Sequence, residues 1–168
     1  SPLEPLIVAS SRVRASLEET RWLAIHELGL NVTRAGVYGL ELEPPPGWLV
    51  AEVRGPGIEE WQPEGNRLRL RLAQRLLGDQ RIEVQLEQPL TQLPPELILA
   101  PVRVVGAARE SALIGAGSTP GLQLKTASIT GAREIPVTAL PDRRDELLAY
   151  RAEGGDWRLT LAAERLSP

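Results

Sequence analysis

Apolar and polar residues alternate with a period of two in two neighbouring runs, residues 67–72 and 81–86, and this pattern constrains the fold most. In the first run leucines alternate with arginines, and in the second run aliphatic residues alternate with charged or amide side chains. Such alternation is typical of a strand with one buried face. Gly78-Asp79 between the runs has turn chemistry. The sequence therefore predicts a β-hairpin whose arginine face meets the glutamates of the second strand.

The remaining segments predict further strands. Residues 28–32 alternate up to a turn expected at residues 33–36, and the pattern resumes from residue 37 up to Pro44-Pro45-Pro46. A strand must end at these prolines because proline cannot donate to the ladder. Residues 11–28 combine helix-forming composition with alternation, so we favour strands there and leave a helix open. Short strands separated by turns every 8–12 residues predict an all-β fold, an antiparallel β-sandwich of about a dozen short strands.

The positions of the prolines suggest domain boundaries, and the absence of methionine bears on whether the chain is part of a longer protein. Residues 1–9 are interpreted as a leader or linker, and residues 10–166 as a single β-sandwich domain. The proline-rich residues 90–101 would join two lobes, if the sandwich has two. Methionine is absent even at position 1, so we expect a processed product or a piece of a longer protein.

Composition argues against several classes of function. The chain has no cysteine, which excludes disulfides and thiolate chemistry, and a net charge of −3 gives no attraction to nucleic acid or anionic membranes. No apolar run approaches the ~20 residues of a membrane span. The sequence has a single histidine, His26, and it has no G-x-S-x-G motif whose serine could act with this histidine as a nucleophile. A structural or surface role for His26 is therefore favoured.

Other candidate catalytic groups have simpler interpretations. Glu59 and Glu60 are neighbours, and neighbours on a strand point to opposite faces, which disfavours a glycosidase carboxylate pair. The Gly115-Ala116-Gly117 stretch lacks the G-x-G-x-x-G phosphate motif. The sequence therefore predicts no enzyme activity, no cofactor and no metal.

The four tryptophans offer the main alternative to a purely structural role. Large rings fill cores, and a chain without phenylalanine has few other large core residues. Trp48 follows a Pro-Gly turn and Trp61 precedes Pro63, so both lie close to loops. If exposed, Trp48 and Trp61 would line a platform for a sugar or a peptide.

Several strand-and-turn stretches carry a resemblance. GVYGLELEPPPGW at residues 36–48, NRLRLRL at 66–72 and LLAYR followed by DWRLTLAAERL near the C-terminus are similar to β-rich regions of large uncharacterised bacterial envelope or membrane-anchored proteins. The resemblance implies a bacterial, extracytoplasmic or periplasmic location. It supplies no catalytic residue.

Together these observations predict a non-catalytic structural or protein-interaction module from a larger bacterial protein. Its partner would be protein, within the same chain or an assembly, with no nucleic acid and no membrane insertion. Exposed strand edges are the expected contact surfaces. The alternative is a carbohydrate-binding module that uses Trp48 and Trp61, and a hydrolase is a third hypothesis with little support.

Overall fold

The fold is all-β in the computed structural model, which describes residues 3–167. This confirms the predicted fold class, and it assigns residues 11–28 to strands rather than to a helix. The regular elements are β1 (Leu6–Leu17), β2 (Arg21–Glu43), β3 (Leu49–Arg54), β4 (Ile58–Glu64), β5 (Arg67–Pro89), β6 (Glu96–Leu99), β7 (Arg103–Val104), β8 (Arg109–Ser118), β9 (Leu122–Thr130), β10 (Arg133–Ile135), a 3₁₀ turn (Val137–Ala139), β11 (Leu148–Ala152) and β12 (Arg158–Arg165).

The strands form a large sheet and a small sheet. The nine-stranded sheet runs in the order β10-β11-β8-β1-β2-β5-β3, with β4 also paired to β5 and β7 to β2. The three-stranded sheet has the order β6-β12-β9. Its strands pair antiparallel, but β1 and β8 of the large sheet pair in parallel. The prediction of a wholly antiparallel sandwich is therefore wrong at this pair.

The predicted hairpin at Gly78-Asp79 is also wrong. Residues 67–89 form one continuous 23-residue strand, β5, which pairs with β2 along both of its halves. Gly78 has a φ of 90° and lies opposite Val32 inside the ladder. The buried residues Leu68 and Leu86 both have even numbers, so the alternation keeps its phase across Gly78, as one strand requires.

The expectation of short strands fails for β2 as well, because β2 is also 23 residues long. The turn expected at residues 33–36 lies inside it. Arg34 has a φ of 72°, and the ladder with β5 shifts register between Val32 and Val37. A bulge of this kind bends a strand and increases its twist, so both long strands change direction without ending.

Two hydrophobic cores lie on the same side of the large sheet. The first contains Leu30 of β2 and Leu70 of β5 and is built from the strands around the bulge. The second contains Trp22 and Tyr150 of the large sheet together with Leu159 of the small sheet. Both β1 and β2 contribute residues to both cores. The two cores are therefore joined by shared strands, while residues 90–101 lead from β5 into the small sheet.

The predicted leader overlaps the first strand. Strand β1 begins at Leu6, so the last residues of the predicted leader, residues 1–9, lie in a strand. Residues 1–2 of that leader lie outside the described residues. No helix among the described residues is long and apolar enough to cross a membrane.

Candidate functional site

The outer face of the large sheet is the side that points away from both cores. On β2, Leu23 and Ile25 occupy this face, because Trp22 and Ala24, which alternate with them, point into the second core. Ile25 lies between Arg14 of β1 and a glutamine of β5 in the cross-strand register. The outer face thus has an aliphatic centre bordered by polar side chains.

The segment of residues 136–147 packs onto this face above β8. Glycines on β8 allow the close approach: a Cβ atom at Gly117 would lie 2.6 Å from the Asp145 carbonyl oxygen. At Gly115 it would lie 2.8 Å from the Glu146 Cγ atom and 3.0 Å from a methyl carbon of Leu140. Leu140 is buried in this contact. The segment is therefore part of the packed structure.

Ion pairs hold the 136–147 segment to β1. The Arg12 guanidinium donates to Glu146 at 2.5 Å and to Asp142 at 2.9 Å, and Arg14 also pairs with Asp142. The Glu146 side chain is 2% exposed and also accepts a hydrogen bond from the Arg144 N–H. Burial raises the pKa of Glu146, but these hydrogen bonds outweigh it and hold the pKa below its ordinary value of 4.5.

A hollow of about 530 Å³ opens beside these ion pairs, between the 136–147 segment and β1 and β2. Leu23 and Ile25 contribute aliphatic groups to its lining. The charged residues of the lining have both signs: Arg14, Arg144, Asp145 and Glu146. Because Arg12, Asp142 and Glu146 fix the segment, the hollow is formed before anything binds in it.

Four arginines of β10, β11 and the 136–147 segment form no ion pair with a carboxylate within residues 3–167. Arg133 of β10 lies directly opposite Arg151 of β11, and Tyr150 beside Arg151 points into the core, so this pair is on the outer face. Neither arginine forms an ion pair within residues 3–167. Arg143 donates only to the Glu146 carbonyl oxygen, and the Arg144 guanidinium forms no ion pair in the same range. We call these four residues, Arg133, Arg143, Arg144 and Arg151, the basic patch.

Most arginines elsewhere on the large sheet are paired, but Arg34, Arg75 and Arg109 form no ion pair within residues 3–167. The face of β5 that was expected to meet its own second half instead meets β2 and β4. The pairs are Arg67 with Glu41 at 2.6 Å, Arg69 with Glu64 at 3.3 Å and Arg71 with Glu60 at 2.7 Å. The lack of an ion pair is therefore not confined to the basic patch.

The free strand edges carry features that hinder pairing with another strand. Pro63 lies in β4, and Pro136 directly follows β10. Shifts in the register of strand pairing place bulges at Ala51 of β3 and Ala127 of β9. Lys125 adds a charge to β9. Proline, bulges and lysine are the usual protections of edge strands. These features favour the sheet faces over the predicted strand edges as contact surfaces.

His26 points into the interior between the two cores. It lies between Val13 of β1 and Val84 of β5, and its side chain is buried. Neither ring nitrogen has a hydrogen-bond partner among the described residues. Burial lowers the pKa of His26 to about 3, so the ring is neutral at pH 7. A surface position, one of the two expected, is wrong.

Trp48 and Trp61, the two predicted platform residues, are both half-buried. The Trp48 ring packs against both cores, with its centre 6.0 Å from that of Trp22. Trp61 packs against the first core only. Trp48 also lines a hollow of about 450 Å³ together with Pro44-Pro45-Pro46 and Pro63. A ligand role for Trp48 and Trp61 stays a prediction.

The acidic residues weighed as catalytic groups are engaged with an arginine. Glu60 lies 2.7 Å from Arg71, and Glu59 lies 3.9 Å from the same guanidinium. Within residues 3–167 no group of three or more histidines and carboxylates is placed to hold a metal ion.

Comparison with known proteins identifies the fold. No family model and no curated protein matches this chain. Among solved structures, an M1 zinc metallopeptidase from Deinococcus radiodurans matches with a TM-score of 0.59 at 8% identity. A two-domain M1 zinc metallopeptidase mutant bound to L-tryptophan matches with a TM-score of 0.57 at 7% identity. Each match covers 93% of this chain and 42% of the peptidase chain.

Sequence reasoning missed the residues that build the outer-face site. It assigned no binding or catalytic role to Arg12, Asp142 or Glu146. These residues are far apart in sequence, since 134 positions separate Arg12 from Glu146. The available signal was local and weak: two small glycines, Gly115 and Gly117, in a strand of otherwise ordinary composition.

Proposed function

We propose that this chain is a non-catalytic interaction module of a larger bacterial protein. The observation that carries the proposal is the fold match, in which nearly the whole chain corresponds to less than half of a longer peptidase chain. One of these matches is a two-domain peptidase, and we propose that the present module likewise contacts a neighbouring domain of its own parent polypeptide.

The side chains support a role without chemistry of its own. The single histidine is enclosed between the cores and held neutral, so its ring nitrogens are out of reach of a substrate. The candidate carboxylates Glu59 and Glu60 lie on an exposed strand beside Arg71. General acid–base catalysis needs a titratable group within hydrogen-bond reach of the substrate, and these groups serve packing and charge balance instead.

The parent protein is proposed to hold a second domain of metallopeptidase type, outside the cytoplasm. The two-domain peptidase matches support a peptidase neighbour, and the resemblance to envelope proteins is the reason for proposing this location. A helix with the motif H-E-x-x-H in the coding sequence next to this module would support a peptidase neighbour. A neighbour of unrelated type would overturn that part.

Two experiments test the module itself. The purified chain is incubated with aminoacyl p-nitroanilides, with and without added Zn²⁺, and no turnover is expected. Deletion of the module from the parent protein is expected to abolish its assembly or its binding of partners. Turnover by the isolated chain, or a deletion that leaves assembly unchanged, would contradict the proposal.

A carbohydrate-binding role is the second candidate, favoured by the hollow beside Trp48. Its rigid proline lining and half-buried indole form a preformed apolar surface of the kind sugars use. A glycan array probed with the wild type and with Trp48→Ala tests this candidate. Binding that survives the substitution, or no binding at all, would remove it.

A further inference from the structure

We propose that a corner of the large sheet, formed by Arg34, Tyr38, Arg75 and Leu77, is the surface on which a neighbouring domain of the parent polypeptide docks. We call these four residues the bulge corner. The docking domain presents carboxylates beside an apolar side chain. The inference rests on the proposed function, because it names the contact surface of the interaction module and the chemistry of its partner.

The pairing of β2 with β5 brings the members of the bulge corner together. Val37 lies opposite Leu76 in this ladder, and both side chains pack against the first core. Tyr38 follows Val37, while Arg75 and Leu77 flank Leu76 on either side. Each of these three residues is therefore one position away from the same cross-strand pair, and each is exposed.

The two arginines of the bulge corner have no carboxylate partner. Neither Arg34 nor Arg75 forms an ion pair within residues 3–167. The Arg75 side chain instead crosses to β2, where its Cγ and Cδ atoms occupy the space that a Cβ atom would need at Gly36. Asp79, the acidic residue closest in sequence to Arg75, accepts a hydrogen bond from Asn31 at 2.8 Å. Carboxylates from outside the chain would complete these pairs, since arginine binds them in a planar, bidentate way.

The backbone of Arg34 adds an independent observation. Its φ of 72° lies in the left-handed region, and no other non-glycine residue among residues 3–167 has a positive φ. A side chain makes this region costly, whereas glycine adopts it freely. Residues held in such conformations cluster at functional sites. Because the Arg34 side chain is exposed and unpaired, the cost is not repaid by a contact inside the described part of the chain.

The apolar groups of the bulge corner indicate a protein as the occupant. Tyr38 is 66% exposed and Leu77 is 52% exposed. Leu77 also lines a hollow of about 230 Å³ together with Pro56, Arg75 and Asp79, and this hollow could receive an apolar side chain. Tyrosine and arginine are the residues in which contact hot spots are enriched. Two arginines on a chain of net charge −3 are a small basic footprint for nucleic acid.

Arginine-selective modification with phenylglyoxal, followed by mass spectrometry, tests whether the bulge corner is covered. The full parent protein, treated with nuclease, and the isolated chain are labelled side by side. Arg34 and Arg75 should react on the order of fivefold more slowly in the parent, because the core of an interface excludes water. Arg158 is the internal control, since it is exposed on the small sheet and forms no ion pair within residues 3–167. Its reaction rate should be the same in both samples.

A pair of matched double variants tests whether these side chains hold the docked domain. In the parent, Arg75→Glu/Leu77→Ala should raise the reactivity of Arg34 to its value in the isolated chain. Arg158→Glu/Leu147→Ala replaces the same residue types elsewhere, at a leucine that is 56% exposed, and should leave Arg34 protected. Both variants of the isolated chain should melt within about 2 °C of the wild type, because exposed substitutions change stability little.

The charge of the partner is tested at one position. Arg75→Glu would face the carboxylates of the docked domain, whereas Arg75→Gln only removes an attraction, so Arg34 should lose more protection in Arg75→Glu. Equal losses in the two variants would overturn the acidic partner. Equal reactivity of Arg34 and Arg75 in the parent and the isolated chain would overturn the proposal. Protection that is present only without nuclease treatment would assign the surface to nucleic acid and would also overturn it.

Arg34→Gly separates docking from folding. Glycine relieves the left-handed conformation, so the melting temperature of the isolated chain should not fall. The protection of Arg75 in the parent should nevertheless decrease, because one of the two cations is gone. A lower melting temperature together with unchanged protection would mean that Arg34 serves the fold alone.

The proposed function and this inference fail in different ways. If deletion of the module abolishes assembly of the parent but the bulge corner is not protected, the interaction module stands and its contact surface lies elsewhere. If deletion leaves assembly unchanged and the bulge corner is not protected, both proposals are wrong.

Discussion

The Arg12 guanidinium and the Glu146 carboxylate lie 2.5 Å apart, across 134 positions of sequence, with side chains only 12% and 2% exposed. The pair links the central strand β1 to the segment between β10 and β11. It fixes one wall of the outer-face hollow, so its loss should affect both stability and the site.

Removing one partner of this pair should be costly. Arg12→Leu leaves the Glu146 carboxylate buried without its cation, and we expect a loss of about 3 kcal/mol in the free energy of unfolding. Arg81→Leu removes an exposed pair with Glu27 and should cost less than about 1 kcal/mol. Urea titration of both variants measures the difference. Similar losses would mean that the pair contributes no more than a surface contact.

The double variant Arg12→Leu/Glu146→Leu adds a sharper test of the same pair. With both charges gone, no unpaired charge remains buried, so much of the stability lost in Arg12→Leu should return. An additive loss in the double variant would indicate that packing, rather than charge, sets the cost.

The close approach of the 136–147 segment predicts the effect of two glycine substitutions. Gly117→Ala should lose about 1–3 kcal/mol, because the new Cβ atom would lie 2.6 Å from the Asp145 carbonyl oxygen. Gly154→Ala is the control, since nothing lies within 4 Å of a Cβ atom there. Thermal unfolding of the two variants checks the expectation. Equal melting temperatures would mean that the segment moves away without cost.

The buried His26 makes stability depend on pH. Its folded pKa of about 3 lies below the ordinary value of 6.5, so the unfolded chain binds the proton more readily as the pH falls below 6.5. The loss of stability should reach about 2 kcal/mol by pH 5. Glu146, whose ordinary pKa is 4.5 and is lowered further by folding, contributes only at lower pH.

Urea titrations between pH 7 and pH 5 measure this dependence, and His26→Leu is the informative variant. The free energy of unfolding of this variant should change little between pH 7 and pH 5, because no other described group with a shifted pKa titrates in that interval. An unchanged slope in His26→Leu would assign the pH dependence to other groups.

The tryptophans predict a mixed pattern of acrylamide quenching. Trp22 and Trp157 are buried and should be shielded, whereas the half-buried Trp48 and Trp61 should be partly accessible. Trp48→Ala should lose about 2–3 kcal/mol because the ring packs against both cores, a little less than a fully buried ring would lose. Trp61→Ala, which contacts one core, should lose less.

Glycans added during the quenching measurement distinguish packing from binding. Protection of the accessible fraction in the wild type, and its absence in Trp48→Ala, would support the carbohydrate hypothesis. Unchanged quenching with every glycan tested would leave Trp48 a packing residue.

The fold class was predictable from the sequence because alternation with a period of two records which face of a strand is buried. The continuity of β5 was not predicted, because Gly78-Asp79 has the local chemistry of a turn. Tertiary pairing overrides that chemistry, since β2 extends along both halves of β5 and Asn31 hydrogen-bonds Asp79 at 2.8 Å. The leucines keep even positions on both sides of Gly78, and this unbroken alternation was the signal that distinguished one continuous strand from a hairpin.

The outer-face site was not predictable in the same way. Strand periodicity tells which residues share a face, but it does not tell which distant strands are neighbours. The opposition of Arg133 and Arg151, and the position of Glu146 above β8, depend on the strand order β10-β11-β8-β1. Only the three-dimensional arrangement reveals which charges are paired and which are not.

The parallel pairing of β1 with β8 has a consequence for synthesis of the chain. Position 10 of β1 pairs with position 111 of β8, so the edge of β1 stays open until that distant strand has left the ribosome. At about 5–20 residues per second, this exposure lasts on the order of 5–20 seconds. Contacts between such distant positions slow folding. The nascent chain therefore depends on its last third to protect its first strand from aggregation.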